Sequence, residues 1–173
     1  MEDPGGAEGS RHGGWVFKFQ GPEGSAYKLE ETMEHEALLL GRVTYQGFAA
    51  AWPSMTDEVG FAEKMNSMPK YVVSRTLQEL EWNNSSLISG DVPEEIAELK
   101  RSEGGDILVA GSATLVQTLM SAGLVDEYRL MVFPIILGEG RRLFGESEEA
   151  IALELVDVRS LPSGTMILTY HPG

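Results

Sequence analysis

The chain has 173 residues, 42% of them hydrophobic, which is enough for one compact domain with a substantial core. Its 13 Lys and Arg against 27 Asp and Glu give a net charge of −14, which disfavours both nucleic acid and anionic membrane surfaces as partners. The absence of cysteine removes disulfide frameworks, zinc ribbons, thiol nucleophiles and iron–sulfur clusters.

In chain order, residues 1–14 carry five glycines (Gly5, Gly6, Gly9, Gly13, Gly14) and Pro4, and composition predicts a flexible glycine-rich segment. The domain proper is expected over residues 15–173. Apolar and polar residues alternate briefly from Trp15 to Phe19, Gly21-Pro22 breaks the chain, and a helix is predicted over about 24–35. Ala37-Leu38-Leu39-Leu40, short and wholly apolar, reads as a strand buried on both faces. Helices follow over 43–52 and 58–65, then the β-rich Lys70-Tyr71-Val72-Val73-Ser74. Strands are predicted at 86–89 and 106–110 around a helix over 93–102, with Pro93 well placed in its first turn. Residues 112–122 read as a helix closed by Gly123. The segments 127–134, 152–158 and 165–171 are β-like and joined by Gly- and Pro-rich turns, which suits antiparallel strands. The expected architecture is an α/β sandwich with a mostly parallel sheet and an antiparallel C-terminal edge.

Several chemistries find no support. His12, His35 and His171 are far apart and form no metal-ligand spacing; no metal is expected. Neither a Gly-x-Gly-x-x-Gly fingerprint nor a P-loop is present. Ser67-Met68-Pro69-Lys70 matches a Ser-x-x-Lys spacing, but Pro69 breaks the helix that such a pair requires. The acidic clusters Glu30-Glu31-Glu34 and Glu146-Glu148-Glu149 read as ordinary solvated surface. The longest apolar run, 130–137, is far short of the roughly 20 residues of a bilayer span, and no secretory signal opens the chain, so a cytoplasmic location is expected.

In an open α/β sheet, ligands bind beyond the carboxyl ends of the strands, which directs attention to three segments. Gly41-Arg42-Val43-Thr44 combines a close-approach glycine, a forked cation and a hydroxyl at a helix start. Ser74-Arg75-Thr76 sets a cation between two hydroxyls. Gly111-Ser112-Ala113-Thr114-Leu115 opens a helix with small residues, whose free N–H groups face outward. Together they describe a site for a diphosphate and a further phosphate. Taken singly, each has an ordinary alternative: a tight turn for Gly41 and Gly111, a helix cap for Thr44 and Ser112, a surface ion pair for Arg42 and Arg75.

In order and spacing, Leu38–Tyr45, Tyr71–Leu77 and Ile107–Leu115 resemble the dihydrofolate reductase superfold. With Asp126–Arg129 leading into Phe133-Pro134-Ile135-Ile136-Leu137-Gly138-Glu139-Gly140, the chain is similar, over residues 15–170, to the bacterial deaminase-reductase C-terminal (RibD C-terminal) family, as a stand-alone member. The resemblance implies a three-layer dihydrofolate reductase-like sandwich and an NADPH-dependent reductase. Such an enzyme would act by hydride transfer to a small heterocyclic substrate, as the aminouracil reductase of riboflavin biosynthesis does. It also implies that Gly41, Arg42, Thr44 and Gly111–Leu115 hold the cofactor phosphates, and that Ser74, Arg75 and Thr76 sit by the adenosine 2′-phosphate. Arg75 would then favour NADPH over NADH.

Two departures from the family accompany the resemblance. The usual first strand is absent before Trp15, so a fragment or a misplaced start at Met1 is expected. Where dihydrofolate reductases carry an early helical acid, this chain has Ser25-Ala26-Tyr27-Lys28. Trp15 is a candidate for stacking on a planar heterocycle in the substrate pocket, or for stapling its loop to the domain. Trp52 and Trp82 read as packing residues. The resemblance further implies a homodimer through the strand region Leu130–Leu137, whose Pro134 suggests an edge or bulge. Two alternatives to the reductase stand beside it: a non-catalytic nucleotide-binding or scaffold relative, and a dihydrofolate reductase-type enzyme.

Overall fold

A computed structural model describes residues 3–6, 8–145 and 150–173. Met1 and the acidic cluster Glu146-Glu148-Glu149 lie outside the described residues. The chain divides into two compact units, one of residues 28–124 and one of residues 1–27 with 125–173. The fold is α/β, a parallel sheet in the first unit and an antiparallel sheet in the second. Among the described residues no helix is long and apolar enough to cross a membrane.

The first unit is built on β1 (Ala37–Gly41), β2 (Lys70–Val73), β3 (Ser85–Ile88) and β4 (Ile107–Val109), all parallel, in the order β3-β2-β1-β4. The apolar run of β1 is buried along its length, Leu38 and Leu40 at 0% exposure and Leu39 at 2%, as expected for a strand with cover on both faces. Leu38 and Leu40 pack with Tyr45, Met65, Met68, Val72 and Trp82, and each such side chain contributes roughly 1.5–3 kcal/mol of burial free energy. Trp82 is nearly inaccessible, with its indole N–H donating to Asn66 Oδ1 (2.7 Å) and its backbone N–H to the Tyr45 hydroxyl (3.0 Å). Trp52 packs against the edge of this cluster.

The helices of this unit are α2 (Arg42–Ala51), α3 (Phe61–Ser67), α4 (Val92–Arg101) and α5 (Ala113–Ser121), while α1 (Pro22–Glu34) carries the division between the units. α4 starts where the sequence signals it: the Asp91 side chain accepts from Glu94 N–H, Pro93 sits in the first turn, and Lys100 and Arg101 close the last. At the end of α5, Gly123 has φ +65°, the left-handed conformation of a helix-terminating glycine, and Leu124 N–H reaches back to Leu119 O (2.9 Å).

One inward position of β2 is a lysine. Lys70 is fully buried, with Nζ donating to Asn66 O (2.7 Å) and Asn83 O (3.1 Å) and lying 4.2 Å from the centre of the Trp82 ring. Burial pushes its pKa down to about 8. The Ser-x-x-Lys spacing is therefore a strand residue filling an interior position, with its ammonium bonded to backbone carbonyls.

The second unit holds β5 (Tyr128–Val132), β6 (Leu153–Ser160) and β7 (Met166–Pro172), antiparallel in the order β5-β7-β6, with an irregularity between Leu155 and Asp157. Ile167 packs with Tyr27, Leu161 and Met131 on one face. The rows Val132–Met166–Ser160 and Leu130–Leu168–Val158 belong to the other face. Strand β5 ends at Val132, ahead of Pro134, which cannot donate to a ladder. No described residue before Ala37 is in a strand.

Residues 15–19, where the sequence alternates, form a 3-10 turn. The glycine-rich segment before it is organised around Asp3. The Asp3 carboxylate accepts from Glu8 and Ser10 N–H (both 3.0 Å), and its carbonyl accepts from Gly6 and Gly14 N–H.

Candidate functional site

The strand order places the candidate segments. Because β1, β2 and β4 are parallel, their carboxyl ends lie at one edge of the sheet, with β1 in the middle. From β1 the chain runs outward through β2 and β3, then returns to place β4 on the other side of β1. The direction of winding thus reverses between β1 and β4. A topological switch point of this kind leaves a crevice at the strand ends, because the helices that follow the two strands leave toward opposite sides.

Gly41 through Thr44 follow β1 and Gly111 through Leu115 follow β4, so both flank the switch point, and the structure brings them into contact. Ser112 Oγ accepts from Gly41 N–H (2.8 Å) and donates to Thr44 Oγ1 (3.0 Å). A Cβ on Gly41 would meet Ser112 Oγ at 3.2 Å, so a larger residue there would make Ser112 give way by a few tenths of an ångström. Gly111 and Ser112 both have left-handed backbones, φ +63° and +55°. For serine this conformation is uncommon and costs about 1 kcal/mol or more unless its surroundings hold it.

The electrostatics follow from what the two helix starts lack. Neither α2 nor α5 has a side-chain cap or an acidic residue in its first turn. Their first-turn N–H groups therefore carry the positive end of each helix dipole without an internal counter-charge. The donor chemistry of the two helix starts fits an anion. Leu115 is buried, so it offers the crevice only its backbone; Ala113 and Ser112 are partly exposed, and Thr114 is exposed.

Ser74, Arg75 and Thr76 stand at the end of β2, on the other side of β1, where Gly41 is paired with Val73. Ser74 Oγ accepts from Thr76 N–H (3.1 Å) and Leu77 N–H (3.0 Å), fixing the turn that presents Arg75. Arg75 is exposed and no described residue bonds to it. Arg42 is exposed as well, with Nη1 donating to Gln46 Oε1 (2.9 Å) one turn along α2. The third segment is thus a neighbour of the first through the sheet, with no hydrogen bond joining it to the other two.

Trp15, in the second unit, is 7% exposed, with its ring edge-on to Phe133 at 5.0 Å between centroids, the contact of a staple. Phe17 is the exposed aromatic of that turn, at 56%.

Comparison with known proteins agrees with the fold. The sequence profile of the RibD C-terminal domain matches residues 5–167. The uncharacterized protein YyaP of Bacillus subtilis strain 168 is 35% identical over 139 residues, 79% of this chain and 73% of its own length. A putative riboflavin biosynthesis protein from Shewanella sp. PV-4 superposes with a TM-score of 0.73 at 22% identity, covering 92% of this chain and 86% of that one. A pyrimidine reductase-like protein from Corynebacterium diphtheriae gives a TM-score of 0.60 at 14% identity, covering 90% and 83%. With 163 consecutive residues inside the family's profile and its α/β architecture in place, the chain belongs to the RibD C-terminal domain family.

Proposed function

We propose that this protein is an NADPH-dependent reductase of a small heterocyclic substrate, of the kind that riboflavin-type reductases reduce. The observation that carries the reading is the pair of uncapped, acid-free helix starts at the switch point of a protein with net charge −14. The Shewanella and Corynebacterium neighbours, named for riboflavin biosynthesis and as pyrimidine reductase-like, support the substrate class. Bound NADPH would supply a hydride for an electrophilic carbon, and the protein orients it. First-turn N–H groups of α2 and α5, with Arg42 and Thr44, hold the pyrophosphate. Arg75, presented by the Ser74 turn and unoccupied by any described residue, takes the 2′-phosphate.

The test is a fluorescence titration of the chain and its Arg75→Ala variant with NADPH and NADH. Tight NADPH binding that Arg75→Ala weakens about tenfold, with NADH unaffected, supports the reading. Equal affinity for both dinucleotides in the wild-type chain overturns the role of Arg75, and no binding of either overturns the reductase.

The same reading includes a second copy of the chain. On the antiparallel sheet Val132, Leu155, Val158 and Met166 are 40–51% exposed, and no charged residue shares their cross-strand rows. Two copies of charge −14 repel each other over most of their surface, and an uncharged apolar face is where they can meet. This face adjoins the Leu130–Leu137 segment, whose Ile136 is 96% exposed. Sedimentation of wild type as a dimer and of Val158→Asp as a monomer supports the pairing; a monomeric wild type overturns it.

A further inference from the structure

We propose that the second unit carries a binding site for a small organic or inorganic anion, held by its phosphate or carboxylate group. The site is the cavity between residues 10–12 and the loop of Leu137 and Glu139, with the Arg11 guanidinium and the Ser10 hydroxyl as donors. None of its residues belongs to the strand-end segments, and it stands independently of the reductase reading.

The cavity has a volume of about 220 Å³ and is lined by Ser10, Arg11, His12, Leu137 and Glu139. That exceeds the roughly 150 Å³ that holds a benzene ring and falls short of the roughly 300 Å³ at which sites for larger organic ligands begin. One small ring or a short carbon chain with a single anionic group fits it, the carbon part against Leu137. The charges select the sign. Glu8, close to Arg11 in the chain, and Glu139, on the cavity wall, are each drawn to another cation. Glu8 Oε2 accepts from Arg141 Nη2 at 3.0 Å, and Glu139 Oε1 lies 3.6 Å from His12 Nε2. Arg11 is exposed, and no described residue bonds to its guanidinium; the Ser10 hydroxyl has no described partner either. In a chain of net charge −14, an arginine at a cavity with no carboxylate of its own is a donor for an anion from outside. Its planar fork matches the paired oxygens of a carboxylate or phosphate.

The rim of this cavity is held in shape. Residues 1–14 contain five glycines, which lose more conformational freedom on ordering than any other residue. A buried carboxylate offsets that cost. Asp3 is 2% exposed, and its two oxygens accept from Glu8 and Ser10 N–H, the second at the cavity wall. Its carbonyl accepts from Gly14 N–H at 3.1 Å, so the backbone is tied on both sides of Arg11. Asp3 adopts φ +43° in doing so, a left-handed conformation uncommon outside glycine. The Glu8–Arg141 and His12–Glu139 pairs then join the segment to the loop that forms the opposite wall. Donors placed before a ligand arrives lose less freedom when it binds.

The test titrates the isotope-labelled chain with inorganic phosphate and, separately, with benzoate, following backbone amide signals by NMR. Wild type is compared with Arg11→Ala, Ser10→Ala, Glu139→Gln and, as a control for net charge, Arg101→Ala at the end of α4. Thermal midpoints report whether each variant is folded. Saturable shifts of residues 8–14 and 137–139 are expected at about millimolar ligand. Arg11→Ala is expected to weaken binding about tenfold, Ser10→Ala about threefold, and Arg101→Ala by less than about twofold. Glu139→Gln is expected to bind about threefold tighter, because it removes the carboxylate from the cavity wall. The tighter of the two probes names the anionic group. A response to neither overturns the site, as does equal weakening by Arg11→Ala and Arg101→Ala, or weaker binding in Glu139→Gln. Shifts confined to residues 41–44, 74–76 and 111–115 would assign the phosphate to the strand ends, overturning this site while leaving the reductase reading in place. Shifts at residues 8–14 in a chain that binds no NADPH support the site and defeat the reductase reading alone.

Discussion

The helices of the parallel-sheet unit begin in two ways. α3 and α4 satisfy their own starts. Asp57 accepts from Val59, Phe61 and Ala62 N–H ahead of and inside α3, Asp91 accepts from Glu94 N–H at α4, and each first turn carries an acid, Glu63 or Glu94 and Glu95. α2 and α5 have neither cap nor acid. In a chain with twice as many acidic as basic residues, four first turns could all be acidic, and the two that are not flank the switch point of the sheet. Capping residues add stability locally, whereas an uncapped start leaves donors for an external anion; the fold does the first at its periphery and the second at one crevice. Lys70 belongs with the self-satisfied group, its buried ammonium held by two carbonyls and the Trp82 face.

The sharpest way to break this contrast is to convert an open start into a closed one. Ala113→Glu places an acid in the first turn of α5. It is expected to weaken NADPH about 100-fold while the thermal midpoint holds or rises slightly, since the same charge favours the helix dipole. Undiminished affinity in a fluorescence titration would show that α5 does not face the anion.

The next effect concerns Lys70. Its pKa of about 8 lies below the ordinary 10.5, so below pH 8 both folded and unfolded chains carry the charge and the cost of burying it is fully present. Between about pH 8 and 10.5 the folded chain sheds the proton first, and stability rises with pH; above 10.5 the cost is gone. The urea midpoint of the wild-type chain, relative to that of Lys70→Met, is expected to climb across this window, and a flat difference would contradict the buried charge.

Smaller again is the loss of a cap. Asp91→Ala is expected to cost about 1 kcal/mol in urea unfolding with NADPH affinity unchanged, the converse of Ala113→Glu. Weakened binding in that variant would mean that the two kinds of helix start are not separate in function. The mildest change is at Asp57, whose hydrogen bonds from backbone N–H, that of Ala62 foremost, hold its carboxyl below the ordinary 3.8. Its contribution is present above pH 3.8 and is lost as pH falls through the lowered value, so Asp57→Asn should flatten the acid limb of the melting profile.

Much of the local structure was legible. Ala37–Leu40 announces a doubly covered strand because nothing polar interrupts it, Asp91 and Pro93 announce a helix start, and Gly123 announces a helix end, since each follows from chemistry within a few residues. The three strand-end segments were legible as candidates. That two of them touch and the third does not depends on strand order, which no local pattern encodes. Lys70 was legible only as part of a coincidental spacing, because a lysine in a strand is ordinarily solvated and its carbonyl partners come from Asn66 and Asn83. Asp3 escaped attention for a similar reason, its role as the centre of a glycine-rich segment resting on main-chain donors that sequence does not display.

The sequence by itself determined the elements, the family and the residues at the strand ends, because hydrophobic period, turn chemistry and caps act over a few bonds along the chain. The tertiary structure alone decided that β4 returns to the far side of β1. That reversal brings Ser112 to within 2.8 Å of Gly41 N, 71 residues away, and turns two ordinary helix starts into one crevice. The physical reason is that the partner of a strand edge is chosen by the burial of whole layers, a sum over distant residues that no single segment contains.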